Sequence, residues 1–427
     1  MDDRSEVSNF LDRHGMLGIG FDGLVADLLE EMEAGLAGRP SSLAMIPTWL
    51  APVERIPAGA PVLAIDAGGT NFRAALVSFG PDGPAVEGFR SAAMPGSAGE
   101  IGREAFFDAL AAKVADLASR TERIGFCFSY AMEILPNREG RLMFFSKEIR
   151  APEVEGALVG AGLAGALERA GVRGRRTTVL LNDTTATLLA GRSSAEDARQ
   201  YDGYVGYILG TGTNAAYLEH SIPKAPGAAA QIVVLESGGF DIRARGDLDE
   251  AFDRTTKDPG RYTCEKMHSG AYLGGLALTV LRAAAGEGLF SAPAAAALGA
   301  IGALPAKDVS AFLRRPSAGT GPLAPAAVTE GDRERAYLLL DALVGRAALL
   351  AAGVLAAAVL KSLRGGMASR PVCIAVDGTT WREVPRLAAR AEALLERHLG
   401  GERGRHVRIV LPDRAPLLGA ALAALAG

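Results

Sequence analysis

Asp66-Ala67-Gly68-Gly69-Thr70-Asn71-Phe72-Arg73 gathers a carboxylate, a glycine turn and several donors into one short stretch. A glycine corner leaves backbone N–H groups facing outward, where they can cradle a phosphate. Asp66, at the end of the incoming strand, can hold a hard cation such as Mg²⁺ or its water, and Thr70, Asn71 and Arg73 add donors past the turn. An ordinary hairpin has the same composition, so the stretch gains weight only from its echo. Gly210-Thr211-Gly212-Thr213-Asn214 repeats it in a similar strand-turn-strand setting. Asn182-Asp183 follows the apolar run Thr177–Leu181, where Asp183 reads equally as a helix N-cap and as a general base at the carboxyl edge of a sheet. Glu236 and Glu265 taken singly read as surface acids, and Ser129 and Lys147 as loop side chains.

These residues need elements to hold them. Val62–Val77 is a hairpin, 85–93 a third strand, 103–119 a helix and 123–130 a buried strand. A helix over 156–170, the strand 177–181 and a helix over 184–190 come next. The second hairpin is followed by a strand at 231–235, and a helix opening at Cys264 is expected to run through the Gly-rich section to Gly275. The stretch 283–306 is poorly periodic and reads as helices with loose linkers. A long helix over 334–363, a strand over 371–376 that ends in the polar turn Asp377-Gly378-Thr379-Thr380, a helix over 383–399, a strand over 407–411 and a helix over 417–425 complete the chain. Before all of this, Phe21, Leu24, Val25, Leu28, Leu29, Met32 and Leu36 recur at helical spacing, and the prolines at 52, 57 and 61 mark a linker with a boundary near Leu50.

At 427 residues the chain is long enough for two or more domains, and an apolar content of 49% supports buried cores. A net charge of -4, with no dense basic stripe, gives no sign of a nucleic-acid partner. Cys127, Cys264 and Cys373 are far apart and odd in number, which argues against a disulfide framework and fits a reducing cytoplasm. The acidic start lacks the order of a signal peptide. The longest apolar run, 347–360, falls short of the ~18 residues of a membrane span, so it reads as a buried helix and no membrane partner is expected. The five histidines show no metal-ligand spacing.

Two phosphate-gripping hairpins facing each other across a cleft resemble the actin-like ATPase fold, an α/β (ribonuclease H-like) architecture of two related lobes. The ordered motifs resemble, more narrowly, the hexokinase family. Phe126-Cys127-Phe128-Ser129 and Ser146-Lys147 look like its sugar loop, Asn182-Asp183-Thr184 like its catalytic segment, and Glu265-Lys266-Met267 with Ser269-Gly270 like its late sugar-binding helix. The resemblance implies an ATP-dependent kinase that phosphorylates the 6-hydroxyl of a hexose, glucose first, for glycolysis. Asp183 would be the general base, with Lys147 beside it in the catalytic set. Ser129, Ser146, Lys147 and Asn182 would hydrogen-bond the sugar, together with Asn214, Glu236 and Glu265. ATP with Mg²⁺ would lie on Asp66, Gly68, Gly69, Thr70, Asn71 and Arg73 of the first turn and on Gly210, Thr211 and Gly212 of the second. Asp377, Gly378 and Thr379 would complete the nucleotide site. A small domain over 51–182 with the terminal helix 412–427, and a large one over 183–411 with residues 1–50, would close on the sugar and exclude water.

The chain departs from the family's pattern at Ser129-Tyr130-Ala131, where the family usually has Ser-Phe-Pro, and at Ser146-Lys147, where it has Thr-Lys. Ser237-Gly238-Gly239-Phe240 replaces Trp-Gly-Ala-Phe. The run 413–419 replaces an Asp-Gly-Ser-Gly-Lys-Gly segment beside the adenosine, which opens the question of the phosphoryl donor. A catalytically weak sugar sensor on the same fold is the alternative, and the presence of Asp183, Lys147 and both turns argues against it. A protein-directed ATPase would have no use for the sugar-contact set.

Overall fold

The computed structural model describes residues 2–52, 56–69, 71–145, 149–193, 200–401 and 403–426. Thr70, Ser146 and Lys147, expected in the site, lie outside the described residues. Helices α1 (Asp3–Arg13) and α2 (Phe21–Leu36) open the chain, and α2 buries the apolar stripe that its spacing predicts. The short strand β1 (Ile46–Pro47) follows. The first lobe is a meander of β2 (Val62–Gly68), β3 (Asn71–Gly80) and β4 (Gly83–Ala93), then helix α3 (Arg103–Ala118) and strand β5 (Arg123–Phe128). A small hairpin of β6 (Ala131–Ile134) and β7 (Gly140–Phe144), helix α4 (Val159–Arg169) and strand β8 (Thr177–Leu181) complete it. Its main sheet runs β4-β3-β2-β5-β8, and α3 and α4 cover one face around Phe106, Phe126 and Leu163.

Helix α5 (Asp183–Ser193) leads to β9 (Gly203–Leu209), β10 (Thr213–Glu219) and β11 (Gln231–Val234). A helical region follows: α6 (Asp247–Asp253), α7 (Thr263–His268), α8 (Leu273–Gly286), α9 (Ala292–Ala300), α10 (Ala306–Arg314) and α11 (Glu330–Lys361). Strand β12 (Val372–Asp377), helices α12 (Thr379–Glu383) and α13 (Leu387–Leu395), strand β13 (Val407–Val410) and helix α14 (Ala415–Leu425) end it. The second sheet runs β1-β11-β10-β9-β12-β13. By length and composition α11 could cross a membrane, yet 83% of its most apolar window is buried inside the protein.

Two expected helices are broken. The one from Cys264 stops at His268, because Gly270 and Ala271 donate their N–H groups to the carbonyls of Gly210 and Thr211 instead of continuing the helix. The one expected from Glu383 splits at Pro385, with Arg386 in a left-handed conformation (φ 64°) before α13.

A third core lies between the sheets. Val62, Ala64, Val179 and Leu181 of the first sheet and Ala216, Ile232 and Val234 of the second meet across α5 and α14. The two helices touch backbone to backbone: a Cβ on Gly419 would overlap the Ala186 carbonyl, and one on Gly125 of β5 would overlap that of Ala420. Only glycine permits this approach. The lobes therefore share a pair of closely crossed helices, with α14 against β2, β5 and β8 and α5 against β9 and β12.

Candidate active site

Parallel pairing sets the level at which the reactive residues emerge. Asp66 of β2 lies opposite Cys127 of β5, and Cys127 lies opposite Leu181 of β8, so the chain leaves each strand at about the same height. Asp66, Ser129 and Asp183 thus share one carboxyl edge, where α/β sheets present ligand sites. In the second sheet Asp377 of β12 pairs with Ile208 of β9, so Asp377 and the Gly210 turn share the other edge. Thr380 Oγ1 donates to the Gly210 carbonyl at 2.7 Å and locks these two turns together.

Asn182 resolves the ambiguity at the start of α5. Its Oδ1 accepts from the Thr185 N–H at 2.8 Å and its carbonyl from Ala186 at 3.0 Å, which makes it the N-cap. Asp183 is then the first residue of the helix, half-buried, and lines the cleft with its carboxylate relieved of capping. Thr184 Oγ1 donates to Asp183 Oδ1 at 3.2 Å.

The cleft has a volume of ≈ 870 Å³. Ser129, Asn182, Asp183, Asn214, Glu236 and Glu265 all line it, although they come from five separate segments. Asn214 Nδ2 donates to Glu236 Oε1 at 2.7 Å, and the Thr213 N–H donates to Glu265 Oε2 at 3.0 Å. Burial, and then the charge of Asp183, push the Glu236 carboxyl upward, against the pull of Asn214. A half-buried set of carboxylates and amides offers the acceptors and donors that sugar hydroxyls pair with.

Asp66 is 6% exposed and sits beside this cleft. Burial raises its pKa to about 6, against the pull of Arg73, whose Nη1 lies 3.1 Å away; the charges of Asp183 and Asp377 raise it further. Asp183 and Asp377 thus act on Asp66, and among the described residues Arg73 pairs with Asp66 and Arg382 Nη2 lies 3.5 Å from Asp377 Oδ1, which leaves a surplus of carboxylate that suits a divalent cation. Among the described residues no three His, Cys, Asp or Glu side chains stand close enough to hold a metal by themselves. A cation arriving with phosphate oxygens and water needs only one or two protein carboxylates, so the residues fit Mg²⁺ carried by a nucleotide. Asp183 lines the cleft and its charge acts on both Asp66 and Glu236. Gly68, Gly69, Asn71 and Arg73 frame the first turn, Gly210, Thr211 and Gly212 the second, and Gly378 and Thr379 follow Asp377.

The cleft also holds residues that were not among the expected site residues. Tyr130, Met143 and Phe144 line it from the first lobe and Lys257, Asp258, Tyr262 and Tyr272 from the second. Tyr130 and Tyr272 stand within stretches that resemble the family's sugar-binding motifs, and the others carry no such signal.

Comparison with known proteins places this geometry. Two family models, both described as hexokinase, match residues 20–193 and 204–426. Hexokinase-1 of Nicotiana tabacum is 34% identical over 293 residues, 62% of this chain and 57% of that protein. The chain thus spans little more than half the length of that relative. Hexokinase-7 of Oryza sativa subsp. japonica is 31% identical over 443 residues, with 95% of this chain and 93% of that one aligned. A hexokinase from Schistosoma mansoni complexed with glucose superposes with a TM-score of 0.78 at 22% identity over 100% of both chains. A second hexokinase crystal structure gives 0.74 at 24% identity over 98% of this chain and 96% of its own. These two establish the fold, the two-lobed actin-like arrangement that the paired turns predict. With both sheets, both turns and nearly every residue from 20 to 426 covered by matching family models, the chain belongs to the hexokinase family.

Proposed function

We propose that this protein is an ATP-dependent hexokinase that transfers the γ-phosphoryl group of MgATP to the 6-hydroxyl of a hexose, glucose foremost, as an entry step to glycolysis in the cytoplasm. The observation that carries this reading is that Asp183 lines the carboxylate and amide cleft while its charge acts on both Asp66 and Glu236.

Ser129, Asn182, Asn214, Glu236 and Glu265 hold the sugar hydroxyls, and Ser146 and Lys147 join them by family resemblance. Asp183 takes the proton of the 6-hydroxyl as that oxygen attacks in line. The Gly68-Gly69 and Gly210-Thr211-Gly212 turns offer backbone N–H groups to the phosphates, and Asp377, Gly378 and Thr379 extend this side toward the nucleoside. Phosphoryl transfer asks chiefly for such positioning and charge stabilisation. Mg²⁺, held through Asp66 and the phosphates, supplies positive charge against that of the phosphoryl oxygens when it is bound. Approach of the lobes excludes water, the competing acceptor.

The test is ADP release with MgATP across glucose, mannose, fructose and glucosamine, alongside Asp183→Ala. Turnover with at least one sugar, falling by ~10² or more in the variant, is expected. Absence of turnover with every sugar that binds overturns the reading for this donor.

A further inference from the structure

Tyr130 is 5% exposed, and its hydroxyl donates to the carbonyl of Gly69 at 2.6 Å. The residue before it makes a parallel contact: the Ser129 N–H donates to the Ala67 carbonyl at 2.9 Å. The Tyr130 ring cannot swing away, because Phe128 packs against it with centroids 4.8 Å apart and Phe145 meets it edge-on at 5.0 Å. Gly69 itself has a φ of 61°, a conformation in which glycine peptides turn over at little steric cost. Turned over, the peptide would present its carbonyl oxygen, the negative end of its dipole, to any anion at the turn.

We propose that Tyr130 is a positioning residue for the phosphate end of the site, tying the Gly69 carbonyl to the protein so that the turn faces a bound phosphate with N–H donors. This inference rests on the kinase reading and gives a role to a residue at which the sugar loop departs from the family's pattern. Burial and the charge of Asp66 raise the phenol well above its usual range, so the hydroxyl remains a neutral donor throughout the working pH range. Phenylalanine, the usual family residue here, keeps the ring and lacks the donor. Tyr130 thus connects the sugar loop with the phosphate turn through one hydroxyl: Ser129 beside it lines the sugar cleft, and Phe145 against it leads into the segment 146–148.

The test is Tyr130→Phe in the full chain, with MgADP and hexose binding measured by calorimetry, the KM for MgATP by turnover, and thermal unfolding as the control. MgADP affinity is expected to fall about fivefold, the value of one neutral hydrogen bond, while hexose affinity and the Tm hold. Unchanged MgADP affinity overturns the inference. So does a loss of hexose affinity instead, which makes Tyr130 a sugar contact, or a joint loss with a lowered Tm, which makes it structural. A wild type that binds MgADP but transfers no phosphoryl group sinks the kinase reading alone; one that binds no MgADP sinks both.

Discussion

Asn214 Nδ2 donates to Glu236 Oε1 at 2.7 Å, and Glu236 holds its place from a left-handed backbone with a φ of 59°. A non-glycine residue in that region costs about 1–3 kcal/mol, and such strain collects at ligand sites. The bond is charge-assisted only while Glu236 is ionised, and burial pushes this carboxyl above its usual range. Hexose KM should therefore rise on acidification, starting at a higher pH than a free glutamate would require. In Glu236→Gln the KM should be about tenfold or more higher, since charged hydrogen bonds are the stronger kind, and should respond less to acidification than that of the wild type. A wild-type KM that does not rise on acidification, or a variant that keeps the full rise, would count against the pairing.

On the proposed mechanism, Asn182 serves the stability of α5 and Asp183 the chemistry. Asn182→Ala removes the cap of α5 and should cost about 1 kcal/mol, read as a lowered denaturation midpoint. Asp183→Asn, which relieves repulsion with Asp66 and Glu236, should not lower that midpoint and should lower kcat by ~10² or more. Equal destabilisation by both substitutions would assign the cap wrongly.

Asp66 should make the folded protein more stable when it is neutralised. Its folded pKa of about 6 stands above the ordinary 3.8, so the native state binds this proton more tightly than the unfolded chain does. The cost of keeping it ionised is complete above the folded value, shrinks as the pH falls and vanishes below the unfolded one. Asp66→Asn should raise the Tm at about pH 7.5, by no more than about 3 kcal/mol of stability, lose that gain near pH 4, and abolish most turnover. Thermal scans at both pH values check it; a lowered Tm at the higher pH refutes it.

Trp49 spans the lobes. Its backbone N–H donates to Gln231 Oε1 at 2.6 Å in the second sheet, while its indole Nε1 donates to the Ile134 carbonyl at 3.2 Å on the small hairpin of the first lobe. Trp381 is 2% exposed against Tyr207 within one lobe. Hexose titration should change tryptophan emission in Trp381→Phe and leave Trp49→Phe nearly silent. The reverse pattern would show that lobe movement bypasses this contact.

Local pattern predicts both hairpins well, because two apolar, β-rich runs around a glycine turn are complete within one segment. Asp66, Asp183 and Asp377 are each recognisable by type, but their convergence depends on the parallel registers of β2, β5 and β8 in one sheet and of β9 and β12 in the other. No window of sequence contains those registers. The break after His268 was hidden for the same reason, since the carbonyls that stop the helix belong to Gly210 and Thr211. The hairpin of β6 and β7 was missed because its strands are short, with mixed burial and a turn that relies on Arg138 at φ 64°. The tie between Tyr130 and Gly69 is likewise invisible locally: tyrosine type gave the donor, and the fold chose the acceptor.

The crossing of α5 and α14 also orders events in time. The ribosome releases β2, β5 and β8 long before residues 415–425, yet the inner face of those strands, with Val62, Ala64 and Val179, is covered by α14. At about 5–20 residues per second the wait is on the order of tens of seconds. Through that interval the nascent sheet keeps an apolar side uncovered, and a ribosome stalled before α14 would leave an early lobe prone to self-association.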